Sequence, residues 1–352
     1  NEIFGDRFKR ARIMRNLAMD ALCEKIGNAV SKQAISKYEK GESLPGSQIL
    51  ILLSQALDVK PDYFFRESQF AISNIEFRKK AKMGVKEVEA IKEEIRDIIE
   101  RYLEIEDVWG CVPSFANPVK EMLVVSDDDV CEVVKRLKEA WNIGEDGILS
   151  VTDLLESKNI KVVEIKADSS FDGLSGYVNN DENMPFVVVN KSFDVERLRF
   201  TGLHELGHLV MNLPEEMEKK DKERLCNLFA SEMLISRDIF VDVLGERRSD
   251  ISLQELKVLQ AVYGISVDAL MFKAKTVGVI SESKYTSFCI RKNKSLAFKD
   301  AVERSSYRGV EESSRFDRLV YRALASDMIS CSKAAVLLNE PMEEVKNKLE
   351  LV

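Results

Sequence analysis

Arg197-Leu-Arg-Phe-Thr-Gly-Leu-His204-Glu205-Leu-Gly-His208 holds both histidines of this 352-residue chain. On a helix, positions four apart lie on one face, one turn apart. Two imidazoles so placed can grip one metal ion while the intervening carboxylate, Glu205, faces the water beside it. A pattern this short also arises by chance around two structural histidines. Here the residues from Arg197 read as the start of a helix leading into the pattern, which favours the metal site.

A tetrahedral site needs at least one more protein ligand. With no histidine left, Glu223 is the better candidate. The stretch Lys222-Glu-Arg-Leu-Cys-Asn-Leu-Phe-Ala-Ser-Glu-Met-Leu234 has Leu225, Leu228, Phe229 and Met233 at helical spacing. Pro214 and the charged run from Glu215 to Lys222 separate it from the first helix. Glu232, more than two turns further along, is the competing ligand. Cys226 reads as a small core residue, although one turn from a metal it would make the site sensitive to oxidation. Asn227 is placed to orient a histidine from behind.

With these elements, the segment from about Val151 to Ile280 resembles the ImmA/IrrE family of zinc metallopeptidases. The resemblance is carried by Phe171-Asp-Gly-Leu-Ser-Gly-Tyr177, by Phe186-Val-Val-Val-Asn190 and by Glu196 to His208. It continues in Glu223-Arg-Leu-Cys-Asn-Leu-Phe-Ala230 and in Tyr263-Gly-Ile-Ser-Val-Asp268. It implies His204, His208 and Glu223 as ligands of Zn2+, Glu205 as catalytic base, and a gluzincin-like endopeptidase of the HExxH type. Cys226 stands where alanine is usual, and Ser236 replaces the common proline; neither removes a catalytic group. Hydrolysis also needs a group to stabilise the oxyanion. Tyr177 and Arg199 are candidates, against the plainer readings of a packing tyrosine and a surface arginine. Phe186–Asn190 reads as a strand that either receives an extended substrate along its edge or is simply buried without a substrate role.

A second signal lies at the N-terminus. Met19 to Ile26 forms a helix stopped by Gly27, and Val30-Ser-Lys-Gln-Ala-Ile-Ser-Lys-Tyr-Glu-Lys-Gly-Glu-Ser-Leu-Pro45 opens on a serine cap. Ser31, Ile35, Tyr38, Glu39, Gly41 and Pro45 stand where the Xre-type helix-turn-helix family has its recurrent residues. Residues 3–65 resemble that family's five-helix module. The resemblance makes Ser31 to Lys40 a recognition helix, with Ser31, Lys32, Gln33, Ser36 and Lys37 contacting the bases and phosphates of a double-stranded operator.

The expected architecture is mainly α with a small β-sheet, an α+β class in four parts. They are a helix-turn-helix bundle (1–66), a helical linker (67–140), a zincin-like metallopeptidase domain (141–280) and a helical C-terminal interaction or sensor domain (281–352). In the linker, Val88, Ile91, Ile95, Ile98, Tyr102 and Ile105 alternate spacings of three and four. This heptad stripe would either pair two chains into a homodimer or pack on the chain's own domains. Ser281 to Lys299 reads as a boundary with a strand or two, and Phe316 to Leu349 as short helices.

Net charge is −8, so any DNA contact is local. No run approaches the ~18–20 apolar residues of a membrane span, and no signal-peptide pattern follows Asn1, a non-methionine start that would be expected of a processed or trimmed chain. Cys23, Cys111, Cys131, Cys226, Cys289 and Cys331 are scattered without a CxxC pair, as suits reduced thiols. A cytoplasmic location away from membranes follows as the expectation.

Three functions fit. The first is a DNA-binding transcriptional regulator whose endopeptidase domain cleaves a repressor, a partner protein or itself in response to a signal. The second is an antitoxin or transcriptional repressor of a toxin–antitoxin operon, with the peptidase fold binding a toxin or sensing rather than cleaving. The third is a sensor in which zinc occupancy or Cys226 sets the DNA-binding state.

Overall fold

The structure, a computed structural model, describes residues 1–67, 84–110, 114–181 and 183–349. Among these it contains seventeen α-helices and one three-stranded sheet, the mainly α architecture expected. The chain forms two compact units. One comprises Asn1–Pro113, Val178–Asn180 and Ser314–Val352; the other comprises Ser114–Tyr177 and Asp181–Ser313. No helix among the described residues is long and apolar enough to cross a membrane. Cys111 lies outside the described residues, and Cys23, Cys131, Cys226, Cys289 and Cys331 are in no disulfide.

In the first unit, helices Glu2–Met14, Met19–Lys25, Lys32–Glu39 and Ser47–Leu57 and a 3-10 turn at Pro61–Phe65 enclose a core of Phe4, Phe8, Leu22, Ile35, Leu53 and Phe64. Four α-helices and a turn thus stand where five helices are expected. A Cβ at Gly5 would lie 2.7 Å from the Glu39 carbonyl oxygen, so only glycine lets the first helix approach the end of the third.

The long helix Val85–Val108 belongs to the same unit. Ile91, Ile95, Tyr102 and Ile105 of its heptad stripe are buried, and Val88 and Ile98 are half-buried. The covering comes from the chain itself. The first helix packs along it, and Ile105 sits among Val320, Ala334, Leu337 and Val345. Those four residues come from the C-terminal helices Arg315–Ala325, Cys331–Leu338 and Met342–Lys348. The stripe that by spacing could join two chains is therefore occupied within one. Flanking it, Glu100 accepts from Arg7 at 2.6 Å and from Arg10 at 2.9 Å, and Asp97 pairs with Arg66 and Arg101.

The second unit is built on strands β1 (Lys161–Ile165), β2 (Gly173–Tyr177) and β3 (Pro185–Asn190). Their order is β1-β3-β2, with β1 parallel and β2 antiparallel to β3. For Phe186–Asn190 this corrects the edge reading in favour of the buried one. It is the central strand, buried at every position, with both edges already paired, and the strand with an outer edge beside the histidine helix is β2. A second correction concerns Ser281 to Lys299, which forms no strand. Helices Glu282–Lys294 and Leu296–Glu303 occupy the region, each opened by a serine cap, and bury Phe288 and Val302 in this unit's core.

Candidate metal centre

Helix Val195–Val210 opens on Asp194, whose side chain accepts from the Arg197 amide, and presents His204 and His208 one turn apart. Helix Lys219–Leu234 packs against it and brings up Glu223. The ligand-capable atoms of these three side chains lie within 4.8 Å of one another. His204 Nε2 is 3.2 Å from His208 Nε2 and 3.3 Å from Glu223 Oε2, and His208 Nε2 is 3.6 Å from Glu223 Oε1. A tetrahedral zinc with bonds of about 2.0–2.1 Å would hold its ligands about 3.3 Å apart, so the three residues fit such an ion.

The backs of both rings are held. His204 Nδ1 lies 2.9 Å from Asn227 Oδ1, and His208 Nδ1 lies 3.3 Å from Cys226 Sγ. With each Nδ1–H donating backwards, both Nε2 lone pairs face the same point as Glu223. Contact with His204 and then His208 holds the Glu223 carboxyl well below the ordinary carboxylate range, so it is available as an anion. Its side chain is 36% exposed while His208 is 5% exposed, which leaves the cluster open on the carboxylate side.

Glu205 is buried and turned towards β2, where Ser175 Oγ donates to its Oε2 at 2.9 Å. Strand and helix run in step here. Residues two apart on β2 meet residues one helical turn apart, with Gly173 against Thr201 and Glu205, Ser175 against Glu205, and Tyr177 Oη donating to the Leu209 carbonyl at 3.0 Å. A Cβ at Gly173 would fall 2.5 Å from Thr201 Cγ2 and 2.6 Å from the Val188 oxygen, so glycine is what permits this approach.

The other expected residues divide. Tyr177 borders the histidine helix through Leu209. Arg199 is not brought to the cluster. It is fully buried, ion-paired to Glu311, and donates to the carbonyls of Ile148, Tyr263 and Gly264 and to Tyr307 Oη. Glu232 is committed to a buried pair with Lys273 and accepts from the Arg237 amide at 2.8 Å. Sequence reasoning gave no role to Ser175, although it lies within the Phe171–Tyr177 motif. Strand alternation, which puts it on the same face as Gly173 and Tyr177, is the signal that could have found it.

In the N-terminal unit, Ser31 caps helix Lys32–Glu39 by accepting from the Ala34 amide at 3.2 Å. Lys32, Gln33 and Lys37 are exposed along it, Ser36 is half-buried, and Ile35 anchors it in the core. Lys32 pairs with Asp20 at 2.6 Å in full solvent, an interaction a phosphate could replace at small cost.

Two family models match this chain. The helix-turn-helix model covers residues 8–64, and the M78 peptidase model, an IrrE N-terminal-like domain, covers residues 155–275. The chain joins a helix-turn-helix domain to an IrrE N-terminal-like peptidase domain. Two uncharacterized HTH-type transcriptional regulators of Sinorhizobium fredii, y4aM and y4wC, are similar to the N-terminal domain. They share 41% identity over 63 residues and 39% over 64, in each case 18% of this chain and 43% of the relative. The chain thus spans less than half the length of these relatives. Bacillus thuringiensis PlcR, solved in complex with the peptide PapR7 and DNA, shares 14% identity. That match covers 99% of this chain and 98% of PlcR at a TM-score of 0.18.

Proposed function

We propose that this protein is a DNA-binding transcriptional regulator whose IrrE-like domain is a zinc endopeptidase that cuts a repressor or another partner protein on a signal. The observation that carries the reading is the convergence of His204, His208 and Glu223, with both imidazoles held from behind by Asn227 and Cys226. When bound, zinc would supply Lewis-acid polarisation of the scissile carbonyl and of the attacking water. Glu205 takes the proton of that water and delivers it to the amine as the carbon–nitrogen bond breaks. Ser175 fixes Oε2 of Glu205, leaving Oε1 for proton transfer. The substrate backbone lies extended along the outer edge of β2, where main-chain groups can pair with it. Tyr177, at the end of that edge, is the oxyanion candidate that remains near the helix, once its hydroxyl turns from the Leu209 carbonyl to the substrate.

The recognition helix, with Ser31, Lys32, Gln33, Ser36 and Lys37, engages one operator half-site per chain. A homodimer on a palindromic operator would have to pair through a surface other than the covered stripe of helix Val85–Val108.

Metal content of the wild type and of Glu223→Ala, by plasma mass spectrometry, tests the centre; near-stoichiometric zinc lost in the variant is expected. Glu205→Gln should then keep its zinc yet abolish cleavage and derepression. A variant that regulates like the wild type would remove hydrolysis from the function and favour an antitoxin or repressor on a peptidase scaffold.

A further inference from the structure

We propose that the cavity beside the metal cluster is a specificity pocket that admits one bulky apolar side chain of the peptide substrate, an inference that rests on the endopeptidase reading above. Phe200 precedes His204 by four residues, and Asn227 and Ser231 follow Glu223 at intervals of four, so each pair shares a helix face. The groove between the two helices continues from the cluster into a cavity of about 440 Å3, closed by helix Val267–Val277. Its apolar walls are Phe200, Leu228, Ala269, Phe272 and Val277. Phe272 is 52% exposed, a large aromatic face in water at the wall of a cavity. Glu223 and Asn227 line the same cavity, so its occupant belongs to a residue adjoining the scissile bond.

Charge decides the class of occupant. Lys273 and Glu232 line the cavity at 3% and 4% exposure and are paired with each other. Lys273 also reaches Ser231 Oγ at 3.3 Å. The buried charges cancel, so a charged side chain reaching them would lose its hydration without gaining an uncompensated partner there, while Lys220 of the lining is exposed to solvent. An apolar side chain gains by leaving water. Arg224, at the rim, is already paired with Asp127. The volume falls in the range of ligand-sized cavities, about 300–1,000 Å3, and accommodates the largest aromatic side chain.

The test uses the full chain and blocked peptides that are identical except for Phe, Leu, Ala or Asp at one position. Binding is read by ligand-observed NMR on zinc-loaded Glu205→Gln, and cleavage by chromatography on the zinc-loaded wild type. Phe and Leu peptides are expected to bind at least about tenfold more tightly than Ala or Asp peptides. Ala269→Trp, which fills the cavity, should erase that preference without changing metal content. Should Ala269→Trp fail to fold, Phe272→Ala removes an exposed wall and should weaken Phe binding selectively. Equal binding of all four peptides, or a preference that survives both variants, would overturn the pocket. Selective binding with no cleavage of any peptide would instead sink the endopeptidase reading and leave the pocket standing.

Discussion

Two side chains set the aim of the imidazoles without joining the three-residue cluster. Asn227 and Cys226 hold the Nδ1 atoms, and helix packing places the rings only approximately without them. Asn227→Ala should lower zinc affinity about 10- to 100-fold, measured by competition with a chromophoric chelator at fixed pH. Asn227→Asp should retain most of the affinity, because a carboxylate still accepts from the ring. Full affinity in the alanine variant would mean that packing alone aims His204. The histidine pair and Glu223 were legible because helical spacing puts them on facing surfaces. Ser175 was not, since a serine in a strand acquires a role only once the strand's register against the helix is fixed. Arg199 misled for a related reason. Five positions from His204 is a rotation of about 140°, which turns its guanidinium away from the cluster and onto Glu311. Glu311→Ala would leave that guanidinium buried without its carboxylate, and a loss of about 3–5 kcal/mol is expected in urea unfolding.

Among elements, the β3 strand and the long helix each carried two readings between which only the assembled fold decides. Phe186-Val-Val-Val is a continuous apolar run, which suits a strand covered on both faces, but strand order does not reside in any one segment. The heptad stripe of Val85–Val108 was equally legible as a seam. Its partner was decided by the N-terminal bundle, whose Arg7 and Arg66 meet Glu100 and Asp97 beside it. At Asp97, burial pushes the carboxyl up, yet Arg101 and Arg66 together bring it below its ordinary value. A carboxylate with a depressed folded pKa stabilises above its unfolded pKa and loses that contribution as pH falls through the folded value. The docking of the bundle on this helix should therefore hold at neutral pH and weaken only below about pH 4. In an acid titration followed by circular dichroism, Asp97→Asn should be less stable at pH 7 and show a shallower acid loss. An identical acid limb in the variant would assign the transition to other carboxylates.

At the scale of the whole molecule, a chain of net charge −8 is proposed to bind a polyanion, and it can do so only through a local face. Lys32 and Lys37 are exposed on the capped helix together with Gln33, so charge and base-reading capacity share one surface. The two kinds of contact predict different signatures. Lys37→Ala, if Lys37 meets a phosphate, should weaken binding to all sequences alike and reduce the slope of log affinity against log salt by about one. Gln33→Ala should leave that slope in place and relax discrimination at a single base pair by about 1–3 kcal/mol. Both are measurable by fluorescence anisotropy on a DNA selected from a random pool with the wild type, titrated at several salt concentrations. Because the metal cluster and the recognition helix belong to different units, Glu223→Ala should change neither quantity. A salt slope that shifts in Glu223→Ala would show instead that metal occupancy acts on the DNA contact directly, and would make the metal the signal rather than the cutting tool.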